Sequence, residues 1–267
     1  MNRLSPLGLS DSKVASHQPT PPAAHAAIEA AKSPLGHWID RPQRFFLPVN
    51  YEPNYRYPLI VWLHSDGYNE NQISQVMPHI SLQNYVGVGI RGSRSVDPVG
   101  HCFDWSSQKA AVVRCENAIW QAIEDASERY SIHPERVFLA GYGAGGTMAR
   151  RVALRQPTAF AGCISLGGRF PRGGGVLSNL AAARQLRNFW AVAMQNPQIS
   201  DGDFEQDIAL ASAARLRLDV RRYTVADEMV QEVLRDVDAW IMELVTGVQT
   251  LSFSSRWDTQ PVSFSAN

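Results

Sequence analysis

Apolar positions fall into two rhythms along the middle of the chain. A continuous apolar run occurs at residues 58–64 (P-L-I-V-W-L-H), mainly apolar runs occur at 85–90, 137–142, 160–166 and 189–194, and a further strand is expected at 218–223. Runs of this length, apolar on both faces, predict strands of a buried parallel sheet. Residues 44–51 predict an earlier strand. Between the runs the spacing changes to threes and fours. Val112, Cys115, Ile119, Ala122, Ile123, Ala126 and Tyr130 form one stripe, which predicts a helix over residues 108–130. Further helices are predicted over 70–80, 144–155 and 205–216. A last amphipathic helix is marked by Val230, Val233, Leu234, Val237, Trp240, Ile241 and Leu244. Alternating strands and helices imply an α/β fold, a mostly parallel central sheet with helices on both faces.

The two ends lack this patterning. Residues 1–35 are rich in Ser, Pro, Ala and His and read as a disordered N-terminal arm, with a short helix expected at 23–31. Residues 249–267 are Ser-rich and read as a flexible tail. The folded domain is therefore expected over 36–248. The chain has 267 residues, enough for one α/β domain with a full core. Its 25 basic and 25 acidic residues balance, and no basic stripe points to nucleic acid. The pairs Arg150-Arg151 and Arg221-Arg222 read as solvated faces. Cys102, Cys115 and Cys163 have no metal-like spacing, and no secretory leader is evident, which favours a cytoplasmic location. No apolar run approaches the roughly 20 residues needed to span a membrane. No cofactor and no metal site are expected.

One segment carries candidate chemistry. Residues 136–147 read R-V-F-L-A-G-Y-G-A-G-G-T. This has the form of a nucleophile elbow, an apolar strand followed by a sharp glycine-flanked turn into a helix. Such an elbow is written G-x-S-x-G, with serine as the nucleophile. Here Gly143 stands at the attacking position, between Gly141-Tyr142 and Ala144-Gly145. The elbow reading requires φ > 0 at Gly143.

Three segments together resemble the phospholipase/carboxylesterase type of serine esterase, within the α/β-hydrolase fold. Residues 58–69 (P-L-I-V-W-L-H-S-D-G-Y-N) are similar to its strand ending in L-H-G-x-G-x-N. Arg91-Gly92 and Phe103-Asp104-Trp105 are similar to its R-G … F-D-W segment. Residues 131–147 resemble its D-P-x-R-V-x-L-x-G-F-S-Q-G-G run. The resemblance covers about residues 44–245. It implies a triad in the order Ser, Asp, His, falling here on Gly143, Gln198 and Asp227, with Asp201 and Asp203 as displaced alternatives for the acid. It also implies an oxyanion hole of backbone N–H groups, from Ala144 and from Ser65 or Asp66. His64, Tyr142 and Trp105 are expected around the pocket, with His64 in a packing and hydrogen-bonding role. His101 and Cys102 are expected at its rim.

One observation is independent of that alignment. The last histidine in the sequence is His133, so none follows the elbow. Serine-type hydrolysis needs a nucleophile, a base, a carboxylate to orient the base, and an oxyanion hole. Only the backbone part of that set is expected to survive. His64-Ser65-Asp66 cannot form a triad, because adjacent residues do not fold onto one another in that geometry. Cys163 lies mid-strand and reads as an inert buried thiol. Asp227-Glu228 reads as the acidic start of the last helix. The leading expectation is a catalytically degenerate, esterase-like protein that binds a small ligand or a protein partner. A hydrolase with a different catalytic group and a structural protein with a filled pocket are the alternatives.

Overall fold

The computed structural model describes residues 42–173 and 175–248. The expected arm and tail, with the helix expected at 23–31, lie outside the described residues. The elements run β1 (Gln43–Phe46), β2 (Tyr57–Leu63), α1 (Gln72–Ile80), β3 (Val86–Ile90), β4 (Arg94–Ser95), β5 (Phe103–Asp104), α2 (Lys109–Arg129) and β6 (Ile132–Tyr142). They continue with α3 (Ala144–Arg155), β7 (Gly162–Leu166), α4 (Leu180–Ala183), β8 (Arg187–Ala193), α5 (Asp201–Ala213), β9 (Arg217–Tyr223) and α6 (Gln231–Thr246). Seven strands form one sheet in the order β1-β3-β2-β6-β7-β8-β9. β1 pairs antiparallel to β3 at the edge, and every other pairing in this sheet is parallel. β4 and β5 make a separate two-stranded ribbon.

The period of two along β2 explains the layers. Leu59, Val61 and Leu63 face a core shared with Val112, Cys115, Ile119 and Ile123 of α2 and Met148 and Val152 of α3. Ile60 and Trp62 face the opposite core, shared with Ile73, Val76 and Met77 of α1 and Val233, Val237 and Trp240 of α6. All seven β2 residues are buried. At roughly 1.5–3 kcal/mol for each large apolar side chain, this strand anchors both layers.

Several expectations change. The helix expected at 205–216 runs Asp201–Ala213, because the Ser200 side chain caps a start four residues earlier. β6 begins at Ile132, not 137, because Tyr57 pairs with Ile132 across a register shift before Leu59 pairs with Val137. The apolar pattern of β6 starts only where that second, regular pairing begins. Arg150 and Arg151 are buried at 1% and 8% exposure, not solvated. The Arg150 guanidinium lies 4.8 Å from the Trp190 ring centroid and 5.6 Å from that of Phe170, and these aromatic faces compensate part of its burial. Arg221 is likewise held, 3.0 Å from Asp236.

Candidate functional site

β2 and β6 lie at the point where successive connections leave in opposite directions, and crevices form beyond strand ends there. The loops after β2, β6, β8 and β9 converge on a cavity of about 220 Å³. Ser65, Asp66 and Tyr68, with Gln72 from the start of α1, form one wall. Tyr142 and Gly143 form the floor. Gln198, Asp227 and Met229 complete the lining. Gly143, Gln198 and Asp227 are therefore brought to one cavity by loops from three different strands. Asp201 and Asp203 are not in the lining. They sit in the first turn of α5, capped by Ser200, and Asp203 pairs with Arg169 at 2.9 Å.

The elbow has the required backbone. Gly143 adopts φ 56° and ψ −123° and caps the N-terminus of α3. Its N–H donates to Leu166 O at 2.8 Å, and its carbonyl accepts from Thr147 N–H at 3.0 Å. A Cβ added at 143 would meet only Ser65 Cβ, at 3.9 Å. Space for a side chain therefore exists. The close approach is at Gly145 instead, where a Cβ would lie 2.2 Å from His64 O and 2.3 Å from Leu63 O. Without that glycine, α3 could not seat against the end of β2.

One backbone donor of the expected oxyanion hole is already occupied. The Asp66 carboxylate lies near the Ala144 N–H and its own amide, and both draw its carboxyl down. The Ser65 N–H donates to Gln72 Oε1 at 3.1 Å. Burial, then the Asp104 charge, pushes the Asp66 carboxyl above the usual carboxylate range, against the pull of those amides and of Arg94. Arg94 itself is bonded to Asp104.

Across the cavity, Asp227 Oδ1 accepts the Tyr142 hydroxyl at 2.9 Å and the Met229 N–H at 2.7 Å. Burial, then the Asp227 and Glu228 charges, push the Tyr142 phenol up, so it remains a donor. Asp227 and Glu228 do not open the last helix, because α6 is capped by Val230 and begins at Gln231. Glu228 is fully buried behind the cavity. It accepts the Ala193 N–H at 2.8 Å and the Asn196 side-chain amide at 3.1 Å. Asn196 Oδ1 in turn accepts the Gln198 N–H at 2.9 Å. A carboxylate therefore ties the β8 and β9 loops together, but it comes from the β9 loop.

His64 and Trp105 lie outside the cavity lining, contrary to expectation. His64 is fully buried beneath it. Its Nδ1–H donates to Ser65 O at 2.7 Å, and Nε2 accepts the Gly92 N–H at 2.9 Å. Burial lowers its pKa to about 4, so the ring is neutral and structural. Trp105 Nε1–H donates to His64 O at 2.7 Å. The expected packing role of His64 agrees with this geometry. His101 and Cys102 do not line the cavity, and the His101 carbonyl accepts from Asn69. Among the described residues, no group of three His, Cys, Asp or Glu side chains could hold a metal ion. No helix there is long and apolar enough to cross a membrane.

The sequence patterns did not reveal Tyr68, Gln72, Met229 or Glu228. Gln72 is the informative omission. Its Oε1 accepts both the Trp62 Nε1–H, at 2.9 Å, and the Ser65 N–H. This orientation turns Nε2 toward Ser65 Oγ at 3.0 Å. A polar residue opening a helix just beyond a buried Trp was the available signal.

Known families fit this arrangement. The sequence profile described as esterase PHB depolymerase matches residues 45–226, well over half of the chain. The chain belongs to this family. No curated protein matches it in sequence. Among solved structures, a Bacillus cereus carboxylesterase aligns with a TM-score of 0.61 and 16% identity, over 77% of this chain and 95% of that one. Arabidopsis thaliana SOBER1 aligns at 0.59 and 16%, over 72% and 100%. The Staphylococcus aureus fluorophosphonate-binding serine hydrolase FphF aligns at 0.57 and 12%, over 77% and 92%. The α/β-hydrolase fold is thus common to all of them.

Proposed function

We propose that this esterase-family chain is a non-hydrolytic member that uses the elbow cavity to bind a small ligand. The observation that carries the reading is Gly143: the elbow conformation is kept at a residue with no side chain. Three further features support it. The loop after β9 offers a carboxylate, Asp227, where the family resemblance puts a histidine. No histidine follows His133. The Ser65 N–H, one of the expected hole donors, is spent on Gln72 Oε1. Loss of one oxyanion-hole donor alone costs about 10²–10³ in kcat.

A hydrolase with a relocated nucleophile is the second reading, and Ser65 is what favours it. Its Cβ lies 3.9 Å from where a 143 side chain would begin. Its hydroxyl oxygen, however, faces the Gln72 amide donor, not a base. Turnover of a short-chain aryl ester separates the two readings. The non-hydrolytic reading expects none above a heat-treated control, and none in Gly143→Ser, because no general base accompanies the new hydroxyl. Turnover abolished by Ser65→Ala would establish the second reading.

A further inference from the structure

In an esterase of this fold, the α3 N-terminus and the hole amides present positive ends to the reacting carbonyl, so the site favours an anion. Here a carboxylate stands beside that positive end. Asp66 lines the cavity with Gly143, and its carboxyl feels the Ala144 N–H. On the opposite side Asp227 adds a second carboxylate, and one of its oxygens, Oδ1, already holds Tyr142 and Met229. Behind it lies Glu228, close enough to act on the Tyr142 phenol. Arg94 acts on Asp66, but its guanidinium is bonded to Asp104. The cavity lining contains two carboxylates and no basic residue.

We infer that the electrostatic sign of the retained site is inverted, and that its ligand is a small organic cation bearing an ammonium group. The inference rests on the binding reading above and adds the ligand class. An ammonium supplies the donors that the Asp66 and Asp227 carboxylates accept. The Tyr68 and Tyr142 rings and the Met229 thioether provide polarisable surface for the attached carbon chain. The cavity, about 220 Å³, sets the scale at a small molecule, not a polymer. An anionic ligand would meet Asp66 where an esterase offers N–H donors.

Three isosteric probes test this by calorimetry on the full chain: 3,3-dimethylbutylammonium, 3,3-dimethyl-1-butanol and 3,3-dimethylbutanoate. The expected order of affinity is cation, then neutral, then anion. Asp227→Asn should weaken the cation by about two- to fivefold, as for an exposed charge pair, and leave the alcohol unchanged. Asp66→Asn, which removes a negative charge from the lining, should improve binding of the carboxylate. Equal binding of all three, preference for the carboxylate, or no binding of the ammonium overturns the inference. A fluorophosphonate reaction run in parallel separates the failures. Labelling overturns the non-hydrolytic reading itself, whereas alcohol or carboxylate binding without labelling removes only the cation assignment.

Discussion

Gly143 and Gly145 are two residues apart in one turn, yet alanine should affect them very differently. At Gly143 the backbone sits at φ 56° and ψ −123°, where a Cβ is strained. The surrounding space is open, since Ser65 Cβ at 3.9 Å is in ordinary contact. The cost of Gly143→Ala is therefore the backbone strain alone, about 1–3 kcal/mol. For a domain of this size that corresponds to a melting temperature lowered by about 2–12 °C, at about 2–4 °C per kcal/mol. At Gly145 the same methyl would meet two backbone carbonyls of the β2 end, at 2.2 and 2.3 Å. Neither can move unless α3 separates from the sheet. Gly145→Ala should lose more than the roughly 1–3 kcal/mol that overpacking a core typically costs, because both clashing atoms are backbone. Urea and thermal denaturation followed by circular dichroism, on both variants and the parent, measure the difference. A Gly143→Ala loss equal to that of Gly145→Ala would refute the reasoning. So would a Gly143→Ala variant more stable than the parent.

Three other outcomes follow from the buried titratable groups. His64 has its pKa lowered to about 4 by burial, so the unfolded chain takes up its proton first as pH falls below 6.5. Stability present at pH 7 should fall by about 3 kcal/mol between pH 6.5 and 4, and an NMR titration midpoint of the His64 ring near 6.5 would contradict this. Glu228 acts with the opposite sign: burial pushes its carboxyl up, so its contribution is present below pH 4.5 and is lost as pH rises through the folded value. Glu228→Gln should therefore gain stability relative to the parent on going from pH 4 to 7, and a flat or opposite difference in urea titrations would be contrary. Finally, native protein should show one thiol reacting rapidly with a disulfide reagent, the half-buried Cys102. Cys115 is buried, and burial pushes the Cys163 thiol up to about 12, so labelling of either before unfolding would be unexpected.

The alternation of apolar runs and stripes was sufficient to place the main layers, because burial on two faces leaves a continuous run and burial on one face leaves a period. Helix α3 coincides with the expected 144–155, since Gly143 marks its start and the sequence becomes polar at Arg155-Gln156. The β4–β5 ribbon and helix α4 escaped notice because each is too short to set a period. The site was legible where glycine spacing records backbone shape. It was not legible where one side chain reaches across the fold. Tyr142 donating to Asp227, and Glu228 accepting the Ala193 N–H, join positions far apart in sequence. Nothing local marks either contact. The same limit applies to Arg150, a charged helix residue whose burial against Trp190 and Phe170 no local pattern reveals.

The central claim is that the elbow retains its shape without its nucleophile. Reaction of the purified chain with a fluorophosphonate probe tests it most directly, with the Staphylococcus aureus fluorophosphonate-binding hydrolase as the positive control. The account predicts no covalent adduct by intact-mass spectrometry under conditions that label the control to completion. A stoichiometric adduct, mapped by peptide sequencing to Ser65 or any other cavity residue, would contradict it.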